Sequence, residues 1–261
     1  MIRHRYVLFP LTVCMILINS GGAYGQDTQA SEPETSKVQP EADEALRKMG
    51  QLLAGTPAFR FDAHITQDHL FPAGQKIQFH QSRRVTVSRP GRVYVQGEGD
   101  LDQSTTWYSD GVASTLDRPR KVYTQIEGPK EIDGMLDHLA LDHGRVMPLA
   151  DFIVSDPYQS AISRVQLGTY LGLHRVRDTE CHHLAFRQEG IDWQVWIDAG
   201  EVPVPRKLLI TFTDMAGQPQ WSAELEGWDL APDLDDDQFV FEAPADAQRL
   251  DPEQFRDRGQ Q

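Results

Sequence analysis

Cysteine is nearly absent from this chain, with two among 261 residues. Cys14 sits in the N-terminal apolar run and Cys181 lies far downstream, so removal of the leader leaves a single thiol and excludes any internal disulfide. Cys181 alone reads either as a reactive or intermolecular thiol or as a small buried side chain on a strand, and the second is the commoner fate of such a residue. Positive charge is also scarce: 25 Lys and Arg stand against 39 Asp and Glu, for a net charge of −14. An acidic chain repels nucleic acid and anionic lipid surfaces, although Arg83-Arg84 remains a local basic pair. Beyond residue 25 there is no apolar run near the roughly 20 residues that a spanning helix needs. Catalytic signatures are missing as well. There is no G-x-S-x-G elbow, no H-E-x-x-H, no phosphate-cradling P-loop and no dinucleotide glycine motif.

The N-terminus has the three parts of an export signal. Arg3 and Arg5 supply positive charge, Val7 to Ile18 form the apolar run, and Ala23-Tyr24-Gly25 puts small residues at the positions a signal peptidase reads. An uncleaved anchor is the alternative, but the run is short for a span and Pro10 interrupts it. Leu11-Thr12-Val13-Cys14 resembles a lipoprotein box only faintly, because Val13 is bulky and the apolar run continues past the cysteine. Residues 1–25 are therefore expected to be a cleaved signal peptide and 26–39 a polar disordered linker. A single domain is expected over 40–244, and a polar, frayed tail over 245–261.

Periodicity supplies the elements. Pro40 opens a helix with Glu41, Asp43 and Glu44 in its first turn, Ala42, Leu46, Met49 and Leu53 on one face, and Gly55 as a stop. From Phe59 to Thr66 the odd positions are apolar and the even ones polar, the alternation of a half-buried strand. Gln75 to Val87 keeps the same parity with Ile77, Phe79, Val85 and Val87 inward, at a length above about 40 Å. Strands follow at 92–96, 105–109, 112–116 and 121–126, with Asp110-Gly111 as a two-residue hairpin. Short connections imply sequential antiparallel pairing. Helical stripes then occur at Ile132, Met135, Leu136 and Leu139, and at Leu149, Phe152 and Ile153, with Asp156-Pro157 as the N-cap and first turn of a third piece. Strands resume at 169–176, 181–187, 191–197, 206–213, 220–228 and 239–241. This order points to an α+β fold built on an unclosed, curved antiparallel sheet of about eleven strands with helices on its concave face.

Candidate sites are few. His182-His183 invites a metal, but neighbours on a strand point to opposite faces and cannot chelate one ion without a bulge. Asp233, Asp235, Asp236 and Asp237 lack the glycine and closing glutamate of a calcium loop and read as a solvated turn. No catalytic residue, metal ligand or cofactor is expected. The aromatic residues are more suggestive. Trp193 shares a face with Val195 and Ile197, whereas Trp196 lies opposite; packing explains most such rings, and a lined cavity between sheet and helices is the functional alternative. Phe59, Phe61, Phe79, Leu139, Phe152 and Trp193 are the expected apolar lining, with Gln81 and Arg83 as polar anchors unless the long strand bulges there and turns them to water.

Several separate stretches then resemble, in order, a family of predicted periplasmic proteins of unknown function, DUF2092: Ala58 to Phe61, Met147 to Asp151, Ser155 to Tyr158, Cys181 to Arg187, Asp192 to Ile197 and Pro205 to Leu208. The similarity runs from about Pro40 to Pro244. That family resembles the bacterial lipoprotein carriers LolA and LolB. The resemblance implies a LolA-like half-barrel with helices in its mouth, working as a monomer in the periplasm of a Gram-negative bacterium. It further implies that the ligand is a lipid, lipoprotein or other apolar small molecule. A stress-sensing or protein-interaction module with an envelope protein partner is the alternative, and no nucleic acid is expected as partner.

The small-residue pair Ala23 and Gly25 makes Gln26 the expected first residue of the exported chain. N-terminal sequencing of protein recovered from the periplasm checks this. An intact Met1 or a lipidated Cys14 would overturn it.

Overall fold

A computed structural model describes residues 37–258 apart from 73, 102, 145 and 146. The leader, its cleavage site and residues 26–36 of the linker lie outside the described residues. Helix α1 (Pro40–Gly55) is followed by β1 (Ala58–Leu70), β2 (Lys76–Ser88), β3 (Arg92–Gly99), β4 (Ser104–Ser109), β5 (Val112–Asp117) and β6 (Val122–Glu127). Then come α2 (Ile132–Leu141), a 3-10 turn at Ala150–Phe152 and α3 (Pro157–Ile162). The second strand group is β7 (Leu167–Val176), β8 (Thr179–Gln188), β9 (Ile191–Asp198), β10 (Pro205–Phe212) and β11 (Gln220–Asp229). A 3-10 turn at Asp236–Phe239, β12 (Gln248–Arg249) and α4 (Pro252–Arg258) close the described chain.

Twelve strands form one sheet in the order β12-β6-β5-β4-β3-β2-β1-β11-β10-β9-β8-β7. Each group is a meander of neighbours in sequence, as short connections require. The exceptions are the antiparallel pairing of β1 with β11, which joins the two groups, and the parallel pairing of β12 with β6 at one edge. The ends of the sheet, β12 and β7, do not pair with each other, so the sheet is curved and unclosed. Asp110 and Gly111 have φ of 51° and 79°, the left-handed pair that a two-residue hairpin demands, and Ser109 pairs with Val112 across it.

One face of the sheet carries the core. Phe59, Phe61, Ala63 and Ile65 of β1, Val85 and Val87 of β2, Leu184 and Phe186 of β8, and Trp193, Val195 and Ile197 of β9 are buried together in one cluster. Against it pack Ala42, Leu46, Met49 and Leu53 of α1, Ile132, Met135 and Leu139 of α2, and Leu149, Phe152 and Ile153 around the first 3-10 turn. The Leu149 stripe thus forms a single tight turn in place of a regular helix. Asp156 caps α3 as its sequence suggests, accepting a hydrogen bond from Gln159 N at 3.0 Å. Gly50 lets α3 approach α1: a Cβ there would lie 2.6 Å from Tyr158 Cβ. Arg47 donates to the Tyr158 hydroxyl at 2.6 Å, and that hydroxyl donates to Asp43.

Arg89 fastens the helices to the sheet. Its guanidinium donates to Ile153 O at 2.8 Å and Leu53 O at 3.4 Å, and lies 5.7 Å from the centre of the Phe59 ring. It therefore satisfies a carbonyl at the end of α1 and one just past the 3-10 turn. Burial draws its pKa below the ordinary arginine value, with Asp133 opposing.

The C-terminal region differs from expectation. Residues 239–241 are not a strand of the sheet. Phe239 ends the second 3-10 turn, is 1 % exposed and lies under the Arg92 guanidinium, 4.8 Å from ring to cation. Phe241 lies 5.1 Å from the ring centres of both Trp107 and Tyr123, which project from the face opposite the helices. The segment is an arm across the outer face of β2 to β6. The polar tail is likewise structured from Gln248 to Arg258. Gln248 and Arg249 pair in parallel with Val122 and Tyr123, Leu250 is buried, and α4 follows. The alternation of Phe239 and Phe241 reads as a strand, but the strand pairing of this region lies at Gln248 and Arg249. The start of the tether beside α1 is also held: Val38 bridges Gly168, and Gln39 N donates to Gly168 O at 2.9 Å.

Phe239→Ala is expected to cost about 3–5 kcal/mol, the usual range for removing a buried phenylalanine. Val240→Ala, at a side chain 53 % exposed, should change stability by less than about 0.5 kcal/mol. Urea denaturation of the two variants measures the contrast, and equal effects would remove the arm from the folded core.

Candidate functional site

The inner face changes chemistry along β1 and β2. Their register is unbroken from Ala58↔Ser88 to Leu70↔Lys76, so no bulge turns Gln81 or Arg83 outward. Both keep the inward parity of Phe59 and Phe61. Where the helices cover the sheet, the floor is aromatic: the Phe59 and Phe61 rings stack with centres 6.4 Å apart, and Trp228 stacks on Phe61 at 4.5 Å. Across β8 and β9, Phe186 and Trp193 stack at 4.2 Å. Further out on β1 and β2 the inward positions become Gln67, Phe79, Gln81 and Arg83. Arg83 donates to Gln81 Oε1 at 3.0 Å, and Gln81 Nε2 donates to Gln67 Oε1 at 3.3 Å.

Five of the six expected apolar lining residues meet in one place. Phe59, Phe61, Leu139, Phe152 and Trp193 all belong to the helix-covered cluster, at 0 to 8 % exposure. Phe79 stands apart. It is half-buried, lies outside that cluster and meets His69 edge-on at 5.2 Å. Its parity is inward, but β1 and β2 run 13 residues each and carry it beyond the main cluster. Trp196 lies on the outer face with Asp192 and Gln194, as alternation demands. Cys181 is fully buried, and its thiol pKa is raised, mainly by burial. It donates weakly to Thr179 O at 3.6 Å.

Trp228 was not legible from alternation, which groups it with Glu226 on the outer face. The pairing of β1 with β11 shifts between Arg60↔Asp229 and Asp62↔Glu226, so β11 holds one extra residue there. Gly227 takes it up with φ of 63°. The bulge turns Trp228 inward, where its Nε1 donates to Pro205 O at 3.0 Å, and turns Asp229 outward onto Arg60 at 3.0 Å. A glycine between Glu226 and Trp228 inside a strand was the available signal.

A cleft of about 310 Å3 opens between α1 and the turn from β9 to β10. Ala45 and Ile197 give it an apolar part, and Lys48, His182, Asp198 and Glu201 a polar one. His182 Nδ1 is 2.9 Å from the Tyr170 hydroxyl. Apart from His182, weighed above as a metal ligand, none of these residues was marked as a ligand contact by the sequence pattern, because they come from three separate segments. Among the described residues no three His, Cys, Asp or Glu side chains converge on a point that could hold a metal ion.

Three solved structures share features of this architecture at low identity. LprF from Mycobacterium bovis is 13 % identical, with 80 % of this chain and 99 % of that chain covered and a TM-score of 0.44. A LolA superfamily protein from Nitrosomonas europaea is 9 % identical, with 77 % and 97 % covered and a TM-score of 0.39. The lipoprotein LppX from Mycobacterium tuberculosis is 10 % identical, with 75 % and 99 % covered and a TM-score of 0.38. No curated protein matches the sequence. The decisive likeness is at the level of sequence families, where a family model matches residues 42–251, and the chain belongs to DUF2092, a family of predicted periplasmic proteins.

Proposed function

We propose that this protein binds or carries a lipid, a lipoprotein or another apolar ligand in the periplasm, without catalysing a reaction on it. The observation that carries the reading is the division of the inner face. An aromatic and aliphatic floor lies under α1, α2 and the Ala150–Phe152 turn, and a polar row of Gln67, Gln81 and Arg83 continues from it. That sequence of surfaces matches an amphipathic molecule. The acyl chain lies on Phe59, Phe61 and Trp193, lined from the helix side by Leu139 and Phe152. The head group meets Gln81 and Arg83, with Phe79 between the two regions. Admitting a chain exchanges helix contacts for ligand contacts, so the apolar area removed from water, at roughly 25 cal/mol per Å2, is largely conserved.

A second reading is favoured by a separate feature. Only the start of β7 is engaged along its outer edge by the segment at 37–39, among the described residues, and Leu171 and Leu173 beyond it are 44 % and 49 % exposed. An open strand edge flanked by leucines suits the addition of a strand from an envelope protein. In that case the protein is an interaction or sensing module.

Delipidated protein should take up a fluorescent fatty-acid probe at micromolar concentration, and unlabelled lipid should displace it. Arg83→Gln should weaken an anionic lipid about five- to tenfold, the loss of roughly 1–1.4 kcal/mol expected for one partly solvated charge contact. A neutral apolar probe should be unaffected. Well-folded protein that takes up no acyl probe would sink the carrier reading, and recovery of a lipid-free envelope complex lost on Leu173→Lys would put the second in its place.

A further inference from the structure

The face opposite the helices carries a row of side chains that the ligand reading does not use. His183 on β8, Trp196 on β9, Lys207 on β10 and Glu224 on β11 are successive register partners. The His183 ring stacks on the Trp196 indole with centres 4.0 Å apart and planes at 15°. Lys207 lies over the same indole at 5.4 Å. His183 Nε2 is 2.9 Å from Gln194 Oε1. An amide oxygen only accepts, so Nε2 carries the proton and the lone pair of neutral His183 is on Nδ1. That Nδ1 is 2.9 Å from Nδ1 of His174.

His174 reaches this place because β7 is irregular. Tyr170 pairs with Leu184 and Leu173 with His182, so β7 has one extra residue between them, with Gly172 at φ of 93°. Without the bulge His174 would share the inward parity of Tyr170. With it, His174 pairs with Cys181 and lies beside His183 on the outer face. Bulges that re-aim a side chain in this way recur next to functional sites.

We propose that His174 and His183 form a surface site for a late divalent transition ion, Cu(II) foremost. Two nitrogens bound at right angles about 2.0 Å from an ion lie about 2.8 Å apart, whereas tetrahedral zinc spreads them to about 3.4 Å. The observed separation of 2.9 Å is that of an N–H···N hydrogen bond donated by His174, and it lies close to the square-planar bite, which a rotation of the exposed His174 ring completes. Copper also heads the affinity order for imidazole. Gln194 fixes the tautomer and Trp196 the plane of the buried ring, the two tasks of an outer shell. His174 is exposed, so solvent can fill the remaining positions. When the ion binds, the proton on His174 Nδ1 moves to its Nε2, and the neutral pair releases none. Among the described residues no third His, Cys, Asp or Glu joins the pair, so the site is open and exchangeable.

Titration of the protein with Cu(II) at neutral pH tests this. The chain has five tryptophans, so the signal is the quenching lost on Trp196→Phe, and electron paramagnetic resonance counts the bound nitrogens. The expected result is saturable binding at micromolar Cu(II) with two imidazole nitrogens, and weaker binding of Zn(II). His174→Ala, at an exposed side chain, should weaken binding at least tenfold and leave the circular dichroism spectrum unchanged. Gln194→Ala should weaken it about tenfold through the tautomer. Unchanged affinity and spectrum in His174→Ala, or no saturable binding by the unmodified protein, would overturn the proposal.

Discussion

The pairing of β1 with β11 is the constraint on which the rest of the structure depends. It brings Ala63 against Leu225 and Ile65 against Ala223, residues separated by most of the chain. Each strand group alone is a meander with one apolar face and no partner for it. Joined at this seam, the two apolar faces become a single curved surface. Helix α1 and the segment between the groups then have something to cover. The non-local contact carries a large loop-closure cost, and burial of a common core offsets it.

The seam also governs what the inner face offers. Because β1 keeps its register with β2 over its full length, both the aromatic floor and the polar row are presented by the same pair of strands. Beneath the helices the inward positions of β1, from Phe59 to Ile65, and of the paired end of β2, Val85 and Val87, are apolar. Beyond them, an uncovered inward position can be polar without desolvation cost, and there the glutamines and Arg83 stand. The boundary between the two chemistries follows the edge of the helical cover, as the free energy of burying unpaired amide or charged groups requires.

Much of this was legible in the sequence because it depends on local periodicity. The alternation of Phe59 to Thr66, the helical face of Ala42, Leu46, Met49 and Leu53, and the Asp110-Gly111 hairpin each specify their own element. The inward direction of Gln81 and Arg83 follows from the same alternation. What escaped reading depends on residues distant in sequence. One extra residue at Gly227 reverses the direction of Trp228, and one at Gly172 reverses that of His174, since strand parity is a count of residues and a bulge changes the count. Phe239 and Phe241 alternate as strand residues do, but the surface that receives them is made by Trp107, Tyr123 and Arg92, which no local pattern near residue 239 reveals. The separation of Phe79 from the other expected lining residues is a matter of how far the helices extend.

The C-terminal arm has a consequence for the order in which this protein acquires its structure. A chain exported through a membrane emerges from its N-terminus, so β1 to β6 arrive in the periplasm long before residues 236–250. During that interval their outer face exposes Trp107, Tyr123 and the future seat of Phe239, and the edge of β6 has no partner. The strand that completes the seam, β11, likewise follows long after β1 to β6. Until residues 236–250 follow, the hydrophobic outer surface and bare edge of the first half stay open to chaperones or to wrong partners. Topology thus makes the arrival of residues 236–250 the event that covers the outer face of β2 to β6 and the edge of β6.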